Sequence, residues 1–217
     1  MNKTVYFLID CSGSMYGNRG DAVNTAMQKV VNEAVPEIKA TKNADLEISF
    51  MALGFSSAFK GDVFEIMPKT KLDDFTQWDP IDPELFNGGT PTGAAIDRVI
   101  QDIEGGSRGD LDPTAVAPAI ILISDGEPNG ANPTYEEVLQ CAVKGGDKEV
   151  KSFRKALRVA LGMNVDEKGR ESLKKFGGIS RKMEEAGLES YYDCSEQYVD
   201  KFVEILKSVT VNASVGS

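Results

Sequence analysis

Two apolar segments, each continuous rather than alternating, constrain the fold of this chain most. Thr4–Ile9 and Ala119–Ile123 consist almost entirely of β-branched, aliphatic and aromatic residues. Such runs are typical of central strands that are buried on both faces, as in a parallel sheet with helices on each side. The first run ends at Asp10 and the second leads into Asp125. Because ligands bind outside the carboxyl ends of such strands, both aspartates are candidate site residues.

Strand and helix patterns alternate along the rest of the chain. A short link, Ser56–Asp62, joins two of the strand patterns and is too short for a parallel crossover, so it predicts an antiparallel edge hairpin that ends at Pro68. We predict a single α/β domain over residues 1–217. It has a Rossmann-like doubly wound, mostly parallel six-stranded sheet, one antiparallel edge strand and helices on both faces. The four further strands are predicted at Leu46–Phe55, Val63–Met67, Leu157–Gly162 and Glu189–Asp193.

The helical patterns fill the intervals between these strands. The first amphipathic run begins at Asp21 and continues to Lys39, and the last predicts a closing helix over Glu196–Val209 with Ser195 as its N-cap. Between them, helices are predicted at Ala94–Ile100, Tyr135–Val143, Lys148–Ala156, Glu167–Phe176 and Ser180–Ala186. Gly105–Asp110 predicts a flexible loop before the strand that begins near Pro118.

The loop after the first strand carries alternating oxygen donors. Asp10, Ser12 and Ser14 alternate around Gly13, which permits a tight turn, so three side-chain oxygens can converge on one point. Oxygen donors without histidine or clustered cysteine suit a hard cation such as Mg²⁺, Mn²⁺ or Ca²⁺. For this segment alone, a simple turn followed by a helix N-cap is the competing interpretation.

A second loop, Asn87–Gly93, is rich in glycine and hydroxyl groups and opens a helical run. If the strands before Asp10 and Asp125 are neighbours in one sheet, the two aspartates lie on adjacent strand ends, about 5 Å apart by strand spacing. Thr90 could then complete the constellation from a third loop. These three segments together favour a cation site over an ordinary turn.

The same segments resemble the von Willebrand factor A (vWA) domain with a complete metal-ion-dependent adhesion site. The resemblance rests on Asp-x-Ser-x-Ser at 10–14, Gly-Gly-Thr-Pro-Thr-Gly at 88–93 and Ile-Ser-Asp-Gly at 123–126, and it covers nearly the whole chain. It implies that Ser12 and Ser14 bind a divalent cation directly, most readily Mg²⁺ but also Mn²⁺ or Ca²⁺. Thr90 would bind directly or through water, and Asp10 and Asp125 largely through water.

The resemblance also implies a function. The cation would bridge to an Asp or Glu of a protein partner, so the chain is expected to be a non-enzymatic interaction module. More narrowly, the segment from Val5 to Gly17 resembles the bacterial vWA proteins of the tellurite-resistance (TerY-like) group. Such proteins accompany metal-binding, kinase-like and phosphatase-like partners in a bacterial stress response.

Two alternatives compete with this hypothesis, an enzyme and a nucleotide-binding module. An aspartate at the end of the first strand, with Mg²⁺, is also the arrangement of aspartyl-nucleophile phosphohydrolases, so Asp10 could serve such a reaction. Those enzymes need a second aspartate two residues later as general acid, where this chain has Ser12, and the chain contains no histidine. A nucleotide-binding module is less favoured, because neither GxGxxG nor GxxxxGK[ST] is present.

The composition argues against two classes of binding partner and predicts a cellular compartment. The net charge of −10 argues against nucleic acid and against anionic membrane surfaces. No apolar stretch approaches the roughly 20 residues of a membrane span, and the N-terminus enters the first strand without room for a signal peptide. Three widely separated cysteines, Cys11, Cys141 and Cys194, predict reduced thiols in a cytoplasmic protein, with Cys11 facing the core.

The segment Leu72–Phe86 allows two interpretations. It holds the only tryptophan, Trp78, among four aspartates, and it leads directly into the Thr90 loop. It is either a partner-binding rim or a packed surface loop anchored by one aromatic side chain.

Overall fold

The computed structural model describes residues 1–105, 116–130, 132–185, 187–194 and 199–215. Its strands are β1 Asn2–Asp10, β2 Glu47–Phe55, β3 Val63–Lys71, β4 Ala119–Ser124, β5 Leu157–Met163 and β6 Tyr191–Cys194. Its α-helices are α1 Asn18–Lys29, α2 Val35–Thr41, α3 Thr92–Glu104, α4 Tyr135–Leu139, α5 Lys151–Lys155, α6 Glu167–Phe176, α7 Arg181–Glu185 and α8 Val199–Val215.

The six strands form one sheet in the order β3-β2-β1-β4-β5-β6. All neighbouring pairs are parallel except β2 and β3, which pair antiparallel at the edge. The predicted six-stranded, mostly parallel sheet with one antiparallel edge strand is confirmed. Because β1 and β4 are neighbours, the two segments that end in aspartate lie side by side in the centre of the sheet.

The continuous apolar pattern of β1 reflects burial on both faces of the sheet. Phe7 and Ile9 contribute to the core under α1, α2 and α8, whereas Tyr6 and Leu8 contribute to the core under α3, α4 and α6. None of these four side chains is more than 2% exposed. A strand that faces solvent on one side would have needed polar residues at alternate positions.

The edge strand continues beyond its predicted end. Pro68 does not terminate the strand, because β3 extends to Lys71. Proline lacks an N–H donor, but an edge strand leaves one side without a partner and tolerates it. Pro68 also lies within an irregular part of the ladder, where the register shifts between the Phe50–Thr70 and Ala52–Met67 pairs.

The predicted first helix, Asp21–Lys39, has a different course. Helical structure begins at Asn18, passes through a π-helical segment at Val30–Ala34 and ends with α2 at Thr41. Pro36 lies in the first turn of α2 and has no N–H to donate, which accounts for the changed hydrogen bonding just before it.

Other helix boundaries also differ from prediction. Helix α4 ends at Leu139 and continues as a 3-10 turn over Gln140–Ala142, and α5 covers only Lys151–Lys155. The last helix reaches Val215, beyond its predicted end at Val209. The predicted N-cap at Ser195 and all of the Gly105–Asp110 loop after Gly105 lie outside the described residues.

The segment Leu72–Phe86 packs as an anchored surface loop. Trp78 is 4% exposed, and its indole N–H donates to the Oδ1 atom of Asn24 on α1 at 3.1 Å. The same Asn24 side chain accepts a hydrogen bond from the Ile81 backbone and donates one to the Ile81 carbonyl oxygen. The four aspartates of the loop remain exposed.

Candidate metal centre

Three loops meet at the carboxyl ends of β1 and β4. The first follows β1, the second contains the Gly88-Gly89-Thr90 turn, and the third follows β4. The first two are joined by backbone hydrogen bonds, from Gly13 N–H to the Gly88 carbonyl oxygen at 3.0 Å and from Asn87 N–H to the Cys11 carbonyl oxygen at 2.9 Å. The structure therefore brings together the loops that carry all five predicted site residues.

Asp10 forms the buried floor of the site. It is 0% exposed, and its Oδ1 atom accepts the Ser12 backbone N–H at 2.8 Å. Its Oδ2 atom accepts the Ser124 hydroxyl at 2.6 Å. Burial, with a smaller contribution from the negative charge of Asp125, raises the pKa of Asp10 to about 6, although the hydrogen bonds from Ser124 and Ser12 oppose that rise. Both donors to this carboxylate are uncharged, and their hydrogen bonds offset the cost of burying its negative charge only in part.

Two serine hydroxyls lie above this floor. The hydroxyls of Ser12 and Ser14 are hydrogen-bonded to each other with their Oγ atoms 3.0 Å apart, and Ser14 donates its hydroxyl hydrogen to the Oδ1 atom of Asp125 at 2.8 Å. Ser12 is buried, whereas Ser14 is exposed. The hydroxyl pair therefore connects the buried carboxylates to the solvent-facing opening of the site.

Thr90 is held against the third loop. Its backbone N–H donates to the Oδ1 atom of Asn129 at 3.0 Å, and Asn129 N–H donates to the Thr90 carbonyl oxygen at 2.9 Å. A Cβ atom added at Gly126, the residue after Asp125, would lie 3.9 Å from the Thr90 hydroxyl oxygen. The Thr90 hydroxyl thus lies beside the loop of Asp125, and the residue is 4% exposed.

The Thr90 turn needs glycine at position 88. Gly88 has a φ of +77°, and a Cβ atom there would lie 2.6 Å from the backbone nitrogen of Ala58. The adjacent loop after β2 supports this turn, because Ser56 donates its hydroxyl to the Asn87 carbonyl oxygen and Ser57 accepts the Gly89 N–H at 2.7 Å. Sequence reasoning assigned no role to these two serines, although both directly follow a strand.

Arg19 is the most consequential residue that the sequence analysis missed. Its guanidinium forms an ion pair with the Oδ2 atom of Asp125 and donates to the Ser14 carbonyl oxygen at 3.0 Å. It lies in the first turn of α1, 106 positions before its carboxylate partner. The signal available in the sequence was only its place between two glycines, just after the Asp10–Ser14 loop.

The profile of the von Willebrand factor type A domain matches residues 4–181. The chain belongs to the vWA family. Domains of this family are protein-interaction modules that bind divalent cations through the metal-ion-dependent adhesion site. A search of curated proteins gives no match.

Several solved structures share the vWA fold with this chain. The pilus adhesin SpaC from Lactobacillus rhamnosus GG is 17% identical with a TM-score of 0.66, over 97% of this chain and 31% of SpaC. The vWF domain of the type V pili tip protein Mfa5 from Porphyromonas gingivalis is 13% identical with a TM-score of 0.56, over 99% of this chain and 97% of that one. Proximal thread matrix protein 1 from the mussel byssus, with a zinc-occupied MIDAS motif, is 16% identical with a TM-score of 0.58, over 97% of this chain and 48% of that one.

The donor set fits a hard cation. Within the described residues, no group of three or more His, Cys, Asp or Glu side chains gathers where it could hold a metal ion, so a cation bound here would need hydroxyl oxygens among its ligands. An octahedral ion with ligands at about 2.1 Å places adjacent ligand oxygens about 3 Å apart. The 3.0 Å separation of the Ser12 and Ser14 hydroxyl oxygens matches that requirement.

The cysteine predictions can be compared with the structure directly. All three cysteines are free, and Cys11 is 0% exposed and packs in the core, as predicted. Burial raises the pKa of the Cys11 thiol far above its usual range, with the nearby charge of Asp10 acting in the same direction. The neutral thiol is therefore part of the core. In the described part of the chain, no helix is long and apolar enough to cross a bilayer.

Proposed function

We propose that this chain is a metal-dependent protein-interaction module with a complete metal-ion-dependent adhesion site. Ser12 and Ser14 would bind the cation through their hydroxyl oxygens, Thr90 would bind directly or through water, and Asp10 and Asp125 would act largely through water. The observation that carries the proposal is the 3.0 Å separation of the two serine oxygens, directly above two buried carboxylates. Mg²⁺ is the favoured ion, with Mn²⁺ and Ca²⁺ as close alternatives.

The charge distribution supports bridging to an acidic partner. If neutral hydroxyls and water contact the ion while the carboxylates act at a distance, the ion keeps most of its positive charge. It then attracts a carboxylate, which an Asp or Glu of a partner would supply at the open side. An acidic chain of net charge −10 would thereby bind an acidic group that it otherwise repels.

Tyr16 offers a second contact for such a partner. Three large hydrophobic residues are exposed in the described part of the chain, and Tyr16, at 64% exposure, is the one beside the site, two residues after Ser14. Aromatic side chains are enriched among the residues that dominate interface energetics. A metal-bound carboxylate and an adjacent aromatic contact together form a minimal recognition surface.

Asp10 is poorly placed for the alternative phosphohydrolase reaction. Both of its carboxylate oxygens accept hydrogen bonds, and the side chain is buried, so neither oxygen is presented to a substrate. A nucleophile needs an accessible lone pair. This geometry favours the non-enzymatic proposal.

The biological setting is proposed from the resemblance of Val5–Gly17 to the tellurite-resistance group. In that setting the chain would act in the bacterial cytoplasm within a stress response, beside metal-binding, kinase-like or phosphatase-like proteins. Free thiols at Cys11, Cys141 and Cys194 are compatible with a reducing compartment. We further propose that residues 1–217 form one vWA domain that binds neither nucleic acid nor membranes.

The metal proposal is tested by calorimetric titration of Mg²⁺, Mn²⁺ and Zn²⁺ into chelator-treated protein. We expect one binding site in the wild type, loss of binding in an Asp10→Ala, Ser12→Ala double variant, and unchanged binding in Thr25→Ala. Thr25 is a matched control because its exposed hydroxyl bonds only within α1. Absence of wild-type binding, or equal binding in the double variant, would contradict the proposal.

The carboxylate bridge is tested separately with Mn²⁺ as a paramagnetic probe. The carboxyl carbon of labelled acetate should relax faster with the Mn²⁺-loaded wild type than in two controls. One control is the same concentration of free Mn²⁺, and the other is Mn²⁺ with the Asp10→Ala, Ser12→Ala double variant. Enhancement that does not depend on Ser12 would rule out a carboxylate bound at this site.

A further inference from the structure

Arg19 already places a positive charge on the proposed metal site. Its guanidinium pairs with the Oδ2 atom of Asp125, a side chain that is 1% exposed, and it also donates to the backbone carbonyl of Ser14. The Arg19 side chain itself is 21% exposed, so it remains partly accessible to solvent. It contacts both the carboxylate and the loop that the cation would need.

The start of α1 fixes the position of this side chain. Gly17 has a φ of +80° and turns the chain into the helix. A Cβ atom at Gly20 would lie 2.7 Å from the ring of Phe86, so glycine lets the helix start pack closely against that buried ring. The turn at Gly17 and the close packing at Gly20 fix the backbone on either side of Arg19, whose guanidinium reaches the Ser14 carbonyl oxygen and Asp125.

The two carboxylates of the site are neutralised unequally. Asp10 accepts hydrogen bonds from the uncharged Ser12 and Ser124 groups, whereas Asp125 accepts one from the Ser14 hydroxyl and forms the ion pair with Arg19. Nearby Lys168 pairs instead with Glu127, two residues beyond Asp125, at 3.6 Å. Arg19 is therefore the cation that balances Asp125 directly.

We propose that Arg19 is an internal competitor for the divalent cation and sets the affinity of the site. The guanidinium neutralises Asp125 when no metal is bound, and it must yield this carboxylate, or be repelled, when a second positive charge enters within a few ångströms. This inference rests on the proposed metal site. It adds that the site is stabilised without metal and binds cations more weakly than its ligands alone would allow.

The competition is tested by calorimetric titration of Mg²⁺ into chelator-treated wild type, Arg19→Ala and Lys168→Ala. We expect the dissociation constant to fall about tenfold in Arg19→Ala and to change less than twofold in Lys168→Ala. The latter variant removes one positive charge from the same end of the sheet without touching Asp125. Arg19→Gln, which lacks the charge but keeps polar contacts, should match Arg19→Ala.

Thermal unfolding supplies a second readout. In chelator, Arg19→Ala should melt at a lower temperature than the wild type, because Asp125 loses its ion pair. In Mg²⁺, its melting temperature should rise by a larger increment than that of the wild type. The stabilisation by a ligand grows with the logarithm of its concentration divided by its dissociation constant, and the variant has the smaller dissociation constant.

The outcomes separate this inference from the proposed function. Wild-type binding with an unchanged or weaker affinity in the Arg19 variants overturns the competition and leaves the metal site intact. An equal gain in Lys168→Ala reduces the effect to general charge and also overturns it. No binding in the wild type overturns the proposed metal-dependent function; binding confined to the Arg19 variants then supports the competition alone, whereas no binding in those variants either overturns the competition as well.

Discussion

At the carboxyl end of the sheet the buried charged residues are two carboxylates, Asp10 and Asp125, whereas at the amino end they are two cations, Lys3 and Arg158. These four are the buried charged residues of the described chain. Burying a charge costs free energy at either end unless the fold supplies compensating contacts. The two ends supply those contacts in different ways, and the difference separates a structural charge from a binding site.

At the amino end, the charge of Arg158 is used inside the fold. Its guanidinium donates to the carbonyl oxygen of Phe176, the last residue of α6, at 2.9 Å and to that of Phe153, in the last turn of α5, at 2.5 Å. It also lies 4.9 Å from the centre of the Phe153 ring. Helix C-termini carry partial negative charge, so the cation is a clamp between two helices and a strand.

At the carboxyl end, the compensation is only partial and faces solvent. Ser12 and Ser14 hydroxyls, whose oxygens retain lone pairs, and the partly exposed Arg19 complete the surroundings of the carboxylates. A cation at this end would meet hydroxyl and carboxylate oxygens, whereas the charge of Arg158 already bonds to main-chain carbonyl oxygens. Burial of charge alone does not mark a site, but burial beside accessible donor oxygens does.

The largest expected effect is at the amino end. Arg158→Ala removes three hydrogen bonds to carbonyl oxygens and the contact with the Phe153 ring, and should lower the free energy of unfolding by about 4 kcal/mol. Chemical denaturation in chelator measures this loss. The control Arg154→Ala removes a more exposed ion pair with Glu149 and should cost less than about 1 kcal/mol. Equal small losses in both variants would contradict the clamp.

Asp10→Asn should reduce metal affinity without reducing stability, in contrast to Arg158→Ala. It should weaken Mg²⁺ binding about 100-fold, or about 2.7 kcal/mol, because the site loses a negative charge that attracts the cation, largely through water. The free energy of unfolding in chelator should not fall, since burial raises the pKa of Asp10 and its charge opposes folding. Calorimetry and denaturation measure the two effects, with the exposed Asp45→Asn as control. A large loss of stability with unchanged metal binding would assign Asp10 a structural role only.

The parts of the fold that could be predicted from the sequence are those set by burial pattern. The continuous apolar runs that end at Ile9 and Ile123 place both strands in the centre of the sheet, and the short Ser56–Asp62 link requires an antiparallel neighbour. The extension of β3 past Pro68 could not be predicted, because it depends on which side of the edge strand lacks a partner. That is a property of the assembled sheet.

The site could be predicted from its short-range patterns and from the two neighbouring strands that lead into Asp10 and Asp125. Asp10, Ser12 and Ser14 are adjacent in sequence, and glycine and hydroxyl spacing indicates Thr90. Arg19 contacts Asp125 across 106 positions, and no local spacing in the sequence indicates where a long, flexible side chain will find its partner.

Lys3 predicts a pH effect at the amino end that metal should not alter. Burial lowers the pKa of Lys3 to about 8 from 10.5, so the folded protein releases this proton before the unfolded chain does. Below pH 8 the buried charge reduces stability, and stability should rise by about 2 kcal/mol between pH 8 and 10.5. Lys3→Met should remove that rise relative to the wild type, and exposed Lys60→Met should not. If the rise in stability between pH 8 and 10.5 persists in Lys3→Met, another group causes it.

The smallest expected effect concerns the support of Thr90. Asn129→Ala removes the side-chain acceptor of the Thr90 N–H but leaves the backbone bond from Asn129 N–H to the Thr90 carbonyl oxygen. Mg²⁺ affinity should fall about fivefold, or about 1 kcal/mol, with little change in melting temperature in chelator. The control Asn212→Ala changes a side chain that bonds only within α8. Unchanged affinity in Asn129→Ala would remove this loop from the metal centre.

The most direct test of the difference between the two ends is thermal unfolding of three proteins, each in chelator and in saturating Mg²⁺. The account predicts that Mg²⁺ raises the melting temperature of the wild type and of Lys3→Met by the same increment, and leaves Ser12→Ala unchanged. At a concentration of 100 times the dissociation constant, the gain corresponds to about 2.7 kcal/mol. An equal Mg²⁺ shift in Ser12→Ala, or no shift in the wild type, would contradict a cation site at the carboxyl end of the sheet.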